Sequence, residues 1–141
     1  MTEYYVDSSV VLRALLGHSP ATHNWFETLK NDGEASLVAS RIGELEVTRV
    51  AYNAGVADSE VDDYTERFAY LPVDDGLVDE ALALKVVVKS ADALHLAAAL
   101  RLRPDPVIFI THDFQLANAA KALGFQVHDP VTDDPGRPPV A

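Results

Sequence analysis

Short apolar segments alternate with helix-like segments along this chain, and this alternation restricts its fold more than any other feature. The clearest apolar segments are 3–7 (EYYVD), 35–39 (ASLVA) and 107–111 (VIFIT), and shorter ones lie at 71–73 and 125–128. They are largely apolar on both faces, as strands are when helices cover both sides of a sheet. The pattern therefore predicts an α/β fold with a mainly parallel sheet of about five strands between helical layers.

Helical segments fill the intervals between these strands. The sequence predicts helices over 8–16, 20–31, 41–54, 58–70, 74–88, 90–102 and 113–123. Ser40 is a predicted N-cap, and Gly17, Gly55 and Gly124 follow helix ends. Residues 131–141 (VTDDPGRPPVA) combine proline, glycine and charge without periodicity. We therefore predict one domain over 1–130 and an extended or disordered tail over 131–141.

Composition narrows the chemistry that this chain can perform. Its 141 residues fit a single domain, and 48% of them are hydrophobic, enough for a full core. The absence of cysteine excludes disulfides, thiolate zinc sites and a thiol nucleophile. No apolar run is long enough to span a membrane, and no signal-peptide pattern begins the chain, so we expect a cytoplasmic protein with no membrane association.

The formal net charge of −11 restricts the possible partners. A protein that binds nucleic acid by neutralising phosphates normally presents a basic face, so any contact with nucleic acid must be local here. The acidic residues could instead surround a metal ion or face a basic partner. Bulk charge does not separate these alternatives.

Two acidic residues lie where predicted strands pass into helices. Asp7 closes the first strand, and Asp113 follows the 107–111 strand. Because open parallel sheets bind ligands beyond the carboxyl ends of their strands, both acids could face one crevice. Each also has an ordinary explanation, since a short polar side chain at such a junction caps the helix.

Two further acids, Glu44 and Asp92, lie near the starts of predicted helices. Glu44 stands among apolar residues of the helix that follows the second strand, although a solvated position is an equally good interpretation. Asp92 begins the helix SADALHLAAAL, which has almost no polar face and is therefore predicted to be buried. A carboxylate there needs either free backbone N–H groups or a cation as its partner.

Convergence of these four acids would determine the chemistry of the site. Carboxylates about 4 Å apart repel by roughly 4 kcal/mol at an effective dielectric near 20, so the group would take up protons or bind a hard cation. Oxygen ligands favour Mg²⁺ or Mn²⁺. Such an ion can activate water for attack on a phosphodiester, which makes nucleic acid hydrolysis a candidate reaction.

Four blocks in the same order resemble the PIN domain, and most closely the VapC toxins of type II toxin–antitoxin pairs. They are VDSS near the N-terminus, SRIGELEVTR, SADALHLAAAL and ITHDFQLANAAKALG. The resemblance extends over residues 3 to about 130. It implies a PIN-like three-layer α/β/α sandwich and a Mg²⁺- or Mn²⁺-dependent endoribonuclease that cuts loops of structured RNA, such as tRNA or rRNA, to inhibit translation and growth.

The resemblance also assigns roles to residues of this sequence. Asp7, Glu44, Asp92 and Asp113 fall at the catalytic positions, with Asp7, Asp92 and Asp113 as metal ligands. Thr111 matches a hydroxyl residue beside the last acid, and Ser8 and Ser9 match small polar residues after the first. The family further implies a homodimer and a VapB-like antitoxin whose C-terminal segment crosses the acidic site.

Three basic residues near the acids, Arg41, Arg49 and Lys89, are candidates to hold RNA phosphates, although a solvated or ion-paired role is the more ordinary interpretation. His95 is predicted to be packed and hydrogen-bonded inside its apolar helix. Alternatives from other classes are a housekeeping PIN-domain RNA-processing nuclease and a PIN-like module that only binds a partner. A phosphoacceptor receiver is disfavoured because no paired acids follow the first strand.

Overall fold

The computed structural model describes residues 2–103 and 106–132. Five strands alternate with seven helices within these residues. The elements are β1 Thr2–Val6, α1 Ser8–Leu15, α2 Pro20–Lys30, β2 Ala35–Ser40, α3 Arg41–Asn53, α4 Asp58–Thr65, β3 Phe68–Leu71, α5 Asp75–Leu82, α6 Ser90–Leu100, β4 Val107–Ile110, α7 Phe114–Ala122 and β5 Gln126–His128.

All five strands pair in parallel, in the order β3-β2-β1-β4-β5. β1, the central strand, and its neighbour β4 end together because Val6 is opposite Ile110. The residues that follow them, Asp7 and Thr111, therefore leave the sheet side by side. The predicted parallel α/β sheet is confirmed.

Alternate residues of β1 and β4 pack into two separate hydrophobic cores. Tyr5 and Phe109 point to the face covered by α5, α6 and α7, whereas Val6 and Ile110 point to the face covered by α1 to α4. All four side chains are almost fully enclosed. Helices on both faces make the three-layer sandwich that the sequence predicts.

Three predicted elements differ from the structure by several residues. The helix predicted over 74–88 ends at Leu82. Val86 and Val88 pack on the core while Val87 between them is exposed, and this alternation is typical of an extended chain. β-Branched valines also disfavour helix. The helix predicted to reach residue 70 ends at Thr65, and the third strand is Phe68–Leu71 rather than 71–73, because pairing with β2 fixes these residues as strand.

No helix in the part of the chain that the structure describes has the length and apolar character needed to cross a membrane. The predicted tail begins with Val131, which is buried in a turn after β5. From residue 133 onward the tail prediction lies outside the described residues.

Candidate functional site

Asp7 lies at the carboxyl end of β1 and is almost completely buried, with 4% of its surface exposed. Its backbone N–H donates to the carbonyl of Ile110 at 3.0 Å. Asp7 occupies the N-cap position of α1 but makes no capping hydrogen bond with its side chain. Its Oδ2 instead accepts hydrogen bonds from the hydroxyls of Ser9 at 2.7 Å and Thr111 at 3.1 Å. Helix capping therefore does not explain this carboxylate.

Thr111 connects Asp7 to Asp113. The Thr111 hydroxyl accepts a hydrogen bond from the backbone N–H of Asp113 at 3.0 Å while it donates to Asp7. Asp113 Oδ1 accepts from the backbone N–H of Leu116 at 2.9 Å and so caps α7. The ordinary capping role holds for one oxygen of Asp113, and its Oδ2 makes no hydrogen bond within the described residues.

Asp92 faces the other acids from the first turn of α6. Burial raises the pKa of Asp92, and the negative charges of Asp7, Asp113 and Glu46 raise it further, against a smaller opposing effect of His95. Its carboxylate makes no hydrogen bond within the described residues, and it does not cap α6. The structure thus brings Asp7, Asp92 and Asp113 into one electrostatic group.

Glu46, which the sequence reasoning did not select, completes this group. Its Oε1 accepts hydrogen bonds from Nε2 of His95 at 2.8 Å and from the Ser8 hydroxyl at 3.1 Å. Burial alone would raise the pKa of Glu46, but the hydrogen bond and charge of His95 and the Ser8 hydroxyl together lower it. Glu46 therefore carries its negative charge beside Asp7 and Asp92.

His95 is fully enclosed between Glu46 and Tyr5. Its Nδ1 lies 2.9 Å from the Tyr5 hydroxyl, and its Nε2 lies 4.0 Å from Asp7 Oδ1. Burial lowers the pKa of His95, but the hydrogen bond to Glu46 and the charges of Asp7, Glu46 and Asp92 outweigh it, and the net shift is upward. This matches the packed, hydrogen-bonded histidine predicted for α6.

The structure does not bring the fourth predicted acid, Glu44, into the group. Glu44 forms an ion pair with Arg41 at 2.6 Å and lies near Tyr70. Residues 44 and 46 are about 200° apart around a helix axis, so the two glutamates flank the buried stripe of α3 on opposite sides. One signal for Glu46 existed in the sequence, since a buried His95 requires a polar partner.

The structure also places the three basic residues predicted to hold RNA phosphates. Arg41 pairs with Glu44, Arg49 lies over the ring of Tyr52, and Lys89 is exposed just before α6. Within the described residues, none of the three forms an ion pair or a hydrogen bond with Asp7, Asp92 or Asp113. Their assignment to RNA phosphates stays a prediction.

The oxygen donors of the group suit a hard divalent cation. In residues 2–103 and 106–132, no three His, Asp or Glu side chains form a compact ready-made metal shell. Three carboxylates nevertheless each have one hydrogen-bonded oxygen and leave the other without a hydrogen bond among these residues, namely Asp7 Oδ1, Asp113 Oδ2 and Glu46 Oε2. Fixed carboxylates with one open oxygen fit a cation that keeps several waters.

The chain is similar in sequence to proteins of one known family. Residues 4–122 match the PIN domain family. The sequence is 28% identical to ribonuclease VapC47 of Mycobacterium tuberculosis (strain CDC 1551 / Oshkosh), over 94% of this chain and 96% of that protein.

Solved structures with a similar fold include toxin–antitoxin assemblies. The chain superposes on a toxin–antitoxin complex from Klebsiella pneumoniae with a TM-score of 0.67 and 17% identity, covering 90% of this chain and 97% of that one. For VapBC-1 from nontypeable Haemophilus influenzae the TM-score is 0.65 at 17% identity, with 91% and 98% covered. At these identities the similarity concerns the fold alone.

Proposed function

The chain belongs to the PIN domain family, and on this basis we propose that it is a metal-dependent endoribonuclease that serves as the toxin of a type II toxin–antitoxin pair. The observation that carries the proposal is the group of acids at the carboxyl ends of β1 and β4. Asp7, Asp92 and Glu46 are held there together with Asp113, although burial and the neighbouring negative charges raise the pKa of Asp92. Neither Asp7 nor Asp92 caps a helix with its side chain.

Asp7, Asp92 and Asp113 would hold Mg²⁺ or Mn²⁺. When bound, such an ion supplies a water activated for attack and stabilises the charge that develops on the phosphodiester. Ser9 and Thr111 hold Asp7 by hydrogen bonds to its Oδ2, which would leave Oδ1 available to the ion or its waters. Glu46 would help to hold the ion or orient the attacking water through Oε2, and its lowered pKa keeps it anionic for this task.

The substrate class follows from the size and charge of the site. With a net charge of −11, the chain cannot follow a long stretch of phosphate backbone. Single-stranded or loop RNA, including tRNA or rRNA loops, presents unstacked bases and an exposed phosphodiester to a small crevice. Arg41, Arg49 and Lys89 remain candidates for phosphate contacts.

The toxin assignment rests on the VapC47 relative and on the toxin–antitoxin complexes of similar fold. An acidic site also suits a basic segment of a VapB-like antitoxin. A homodimer is part of the same proposal, and exposed apolar residues of α3 support it: Leu45, Val50 and Tyr52. Val47 and Ala51 of the same helix lie in the core and are not available to such a surface. A neighbouring antitoxin gene would distinguish a toxin from a housekeeping nuclease.

Purified protein is expected to cut single-stranded RNA internally when Mg²⁺ or Mn²⁺ is supplied, and to stop when EDTA removes the ion. Gel analysis of end-labelled RNA, with matched duplex RNA and single-stranded DNA as controls, measures the reaction. Internal cleavage that persists in EDTA contradicts the metal-dependent mechanism. A protein that binds an antitoxin but cuts no RNA in either metal supports the binding-only alternative.

Glu46 and Glu44 provide a matched pair of variants. Glu46→Gln is expected to lower kcat about 100-fold because the water-orienting carboxylate is lost. Glu44→Gln removes a partly exposed ion pair with Arg41 and is expected to change kcat less than roughly threefold. Steady-state cleavage of one RNA by both variants measures this difference. The reverse order of effects would return the role to Glu44, the residue first selected from the sequence.

A further inference from the structure

His95 forms the centre of a buried chain of hydrogen bonds that the mechanism has not yet used. Its Nδ1 meets the Tyr5 hydroxyl at 2.9 Å, and its Nε2 meets Glu46 Oε1 at 2.8 Å. Tyr5 is fully buried in β1 and stacks on Phe109 with ring centroids 5.4 Å apart. The hydroxyl that holds the imidazole is thus fixed by the central strands of the sheet.

The direction of these hydrogen bonds follows from the groups involved. Burial strongly raises the pKa of Tyr5, so its hydroxyl stays protonated. The Glu46 carboxylate is anionic and can only accept a hydrogen bond. Nε2 of His95 must therefore carry the hydrogen that is donated to Oε1, whether or not Nδ1 is also protonated.

The position of the imidazole is also fixed by packing. A Cβ atom at Gly43 of α3 would lie 3.2 Å from Cε1 of His95, so the missing side chain leaves the space that the ring occupies. Both donors to Glu46, His95 and Ser8, contact the same oxygen, Oε1. The carboxylate is held from one side, and Oε2 makes no hydrogen bond within the described residues.

We propose that His95 is a positioning residue that fixes Glu46 through Oε1 so that Oε2 faces Asp7 and Asp92. This inference rests on the proposed nuclease function and adds a residue to it. His95 touches neither the substrate nor the reacting water in this role. It transmits the rigidity of β1, through Tyr5, to a side chain of α3.

Two substitutions separate positioning from packing. In His95→Gln, the side-chain amide nitrogen can replace Nε2 as the donor to Glu46, whereas in His95→Asn it can replace only Nδ1. Both variants lose the ring, so denaturant unfolding is expected to show similar losses of stability. Titration of metal-free protein with Mn²⁺, followed by electron paramagnetic resonance of the free ion, is expected to give about 10- to 100-fold weaker binding for His95→Asn and a much smaller change for His95→Gln.

RNA cleavage provides a second measurement on the same variants. His95→Asn is expected to lower kcat with little change in KM, and His95→Gln is expected to recover most of the loss. Equal Mn²⁺ affinity and equal kcat for the wild type and His95→Asn would overturn the positioning role while leaving the nuclease intact. Wild-type protein that neither binds Mn²⁺ nor cuts RNA would instead overturn the proposed function.

Nitrogen-15 NMR of the histidine rings tests the hydrogen bond directly in the wild-type chain. A signal of His95 with a protonated, slowly exchanging Nε2 is the expected result, and His95→Asn assigns it by its disappearance. An Nε2 without a proton in the folded protein would overturn the inference, because Glu46 could then receive no hydrogen bond from the ring.

Discussion

Asp7→Asn is expected to reduce metal-dependent RNA cleavage by at least about 1000-fold while the protein stays folded. The substitution preserves the shape of the side chain, and the amide oxygen of asparagine can still accept the hydrogen bonds of Ser9 and Thr111. It removes a negative charge that is buried where β1 and β4 end. Cleavage assays in Mg²⁺ and Mn²⁺, with circular dichroism to verify folding, measure the effect.

Asp58→Asn is the matched control for this experiment, because Asp58 is an exposed acid in the first turn of α4, remote in sequence from the acidic group. The same pair of variants tests the toxin assignment in cells. Expression of the wild type and of Asp58→Asn is expected to arrest growth, and expression of Asp7→Asn is expected to permit it. Equal cleavage by the wild type and Asp7→Asn would end the nuclease proposal.

The sheet could be predicted from the sequence because its central strands are apolar on both faces. Phe109 and Ile110 serve opposite cores, so the segment 107–111 has no polar side and only a sheet covered twice can bury it. Local patterns did not determine α5 and the segment after it. Val86 and Val88 pack on the core as extended chain. Their alternation with Val87 is too short to be recognised in the sequence, and the contacts that hold them come from residues distant in sequence.

The positions of candidate site residues could be predicted where the course of the backbone alone determines them. Asp7 and Asp113 follow strands whose ends meet in the sheet, so their proximity needs no knowledge of side-chain packing. The choice between Glu44 and Glu46 depends on which flank of α3 meets α6, and that is set by the imidazole of His95 against Gly43. No pattern within α3 contains this information.

Asp92→Asn is expected to abolish cleavage and yet to stabilise the metal-free protein. Burial and the charges of Asp7, Asp113 and Glu46 raise the pKa of Asp92 in the folded state. The folded protein therefore binds a proton at Asp92 more tightly than the unfolded chain does, and the stability gained by protonation is lost as pH rises through the folded pKa. Asparagine is neutral at every pH and avoids this loss.

Thermal unfolding in EDTA at several pH values measures the stability effect. Near pH 3 the wild type and Asp92→Asn should unfold at similar temperatures, because Asp92 is then protonated in both states. Above the raised folded pKa the variant is expected to unfold roughly 1 to 3 °C higher, since a half-buried charge is partly screened by solvent. A variant that is less stable than the wild type at neutral pH would show that Asp92 has a stabilising partner in the fold.

Addition of Mn²⁺ should reverse the order of the two proteins. At about 100 times its dissociation constant, a ligand that binds only the folded state adds roughly 2.7 kcal/mol of stability. The wild type is expected to gain this stabilisation, and Asp92→Asn is expected to gain little because a ligand is missing. An acid that lowers the stability of the empty fold and raises that of the metal-loaded fold serves the site rather than the scaffold. Equal stabilisation of both proteins by Mn²⁺ would remove Asp92 from the set of ligands.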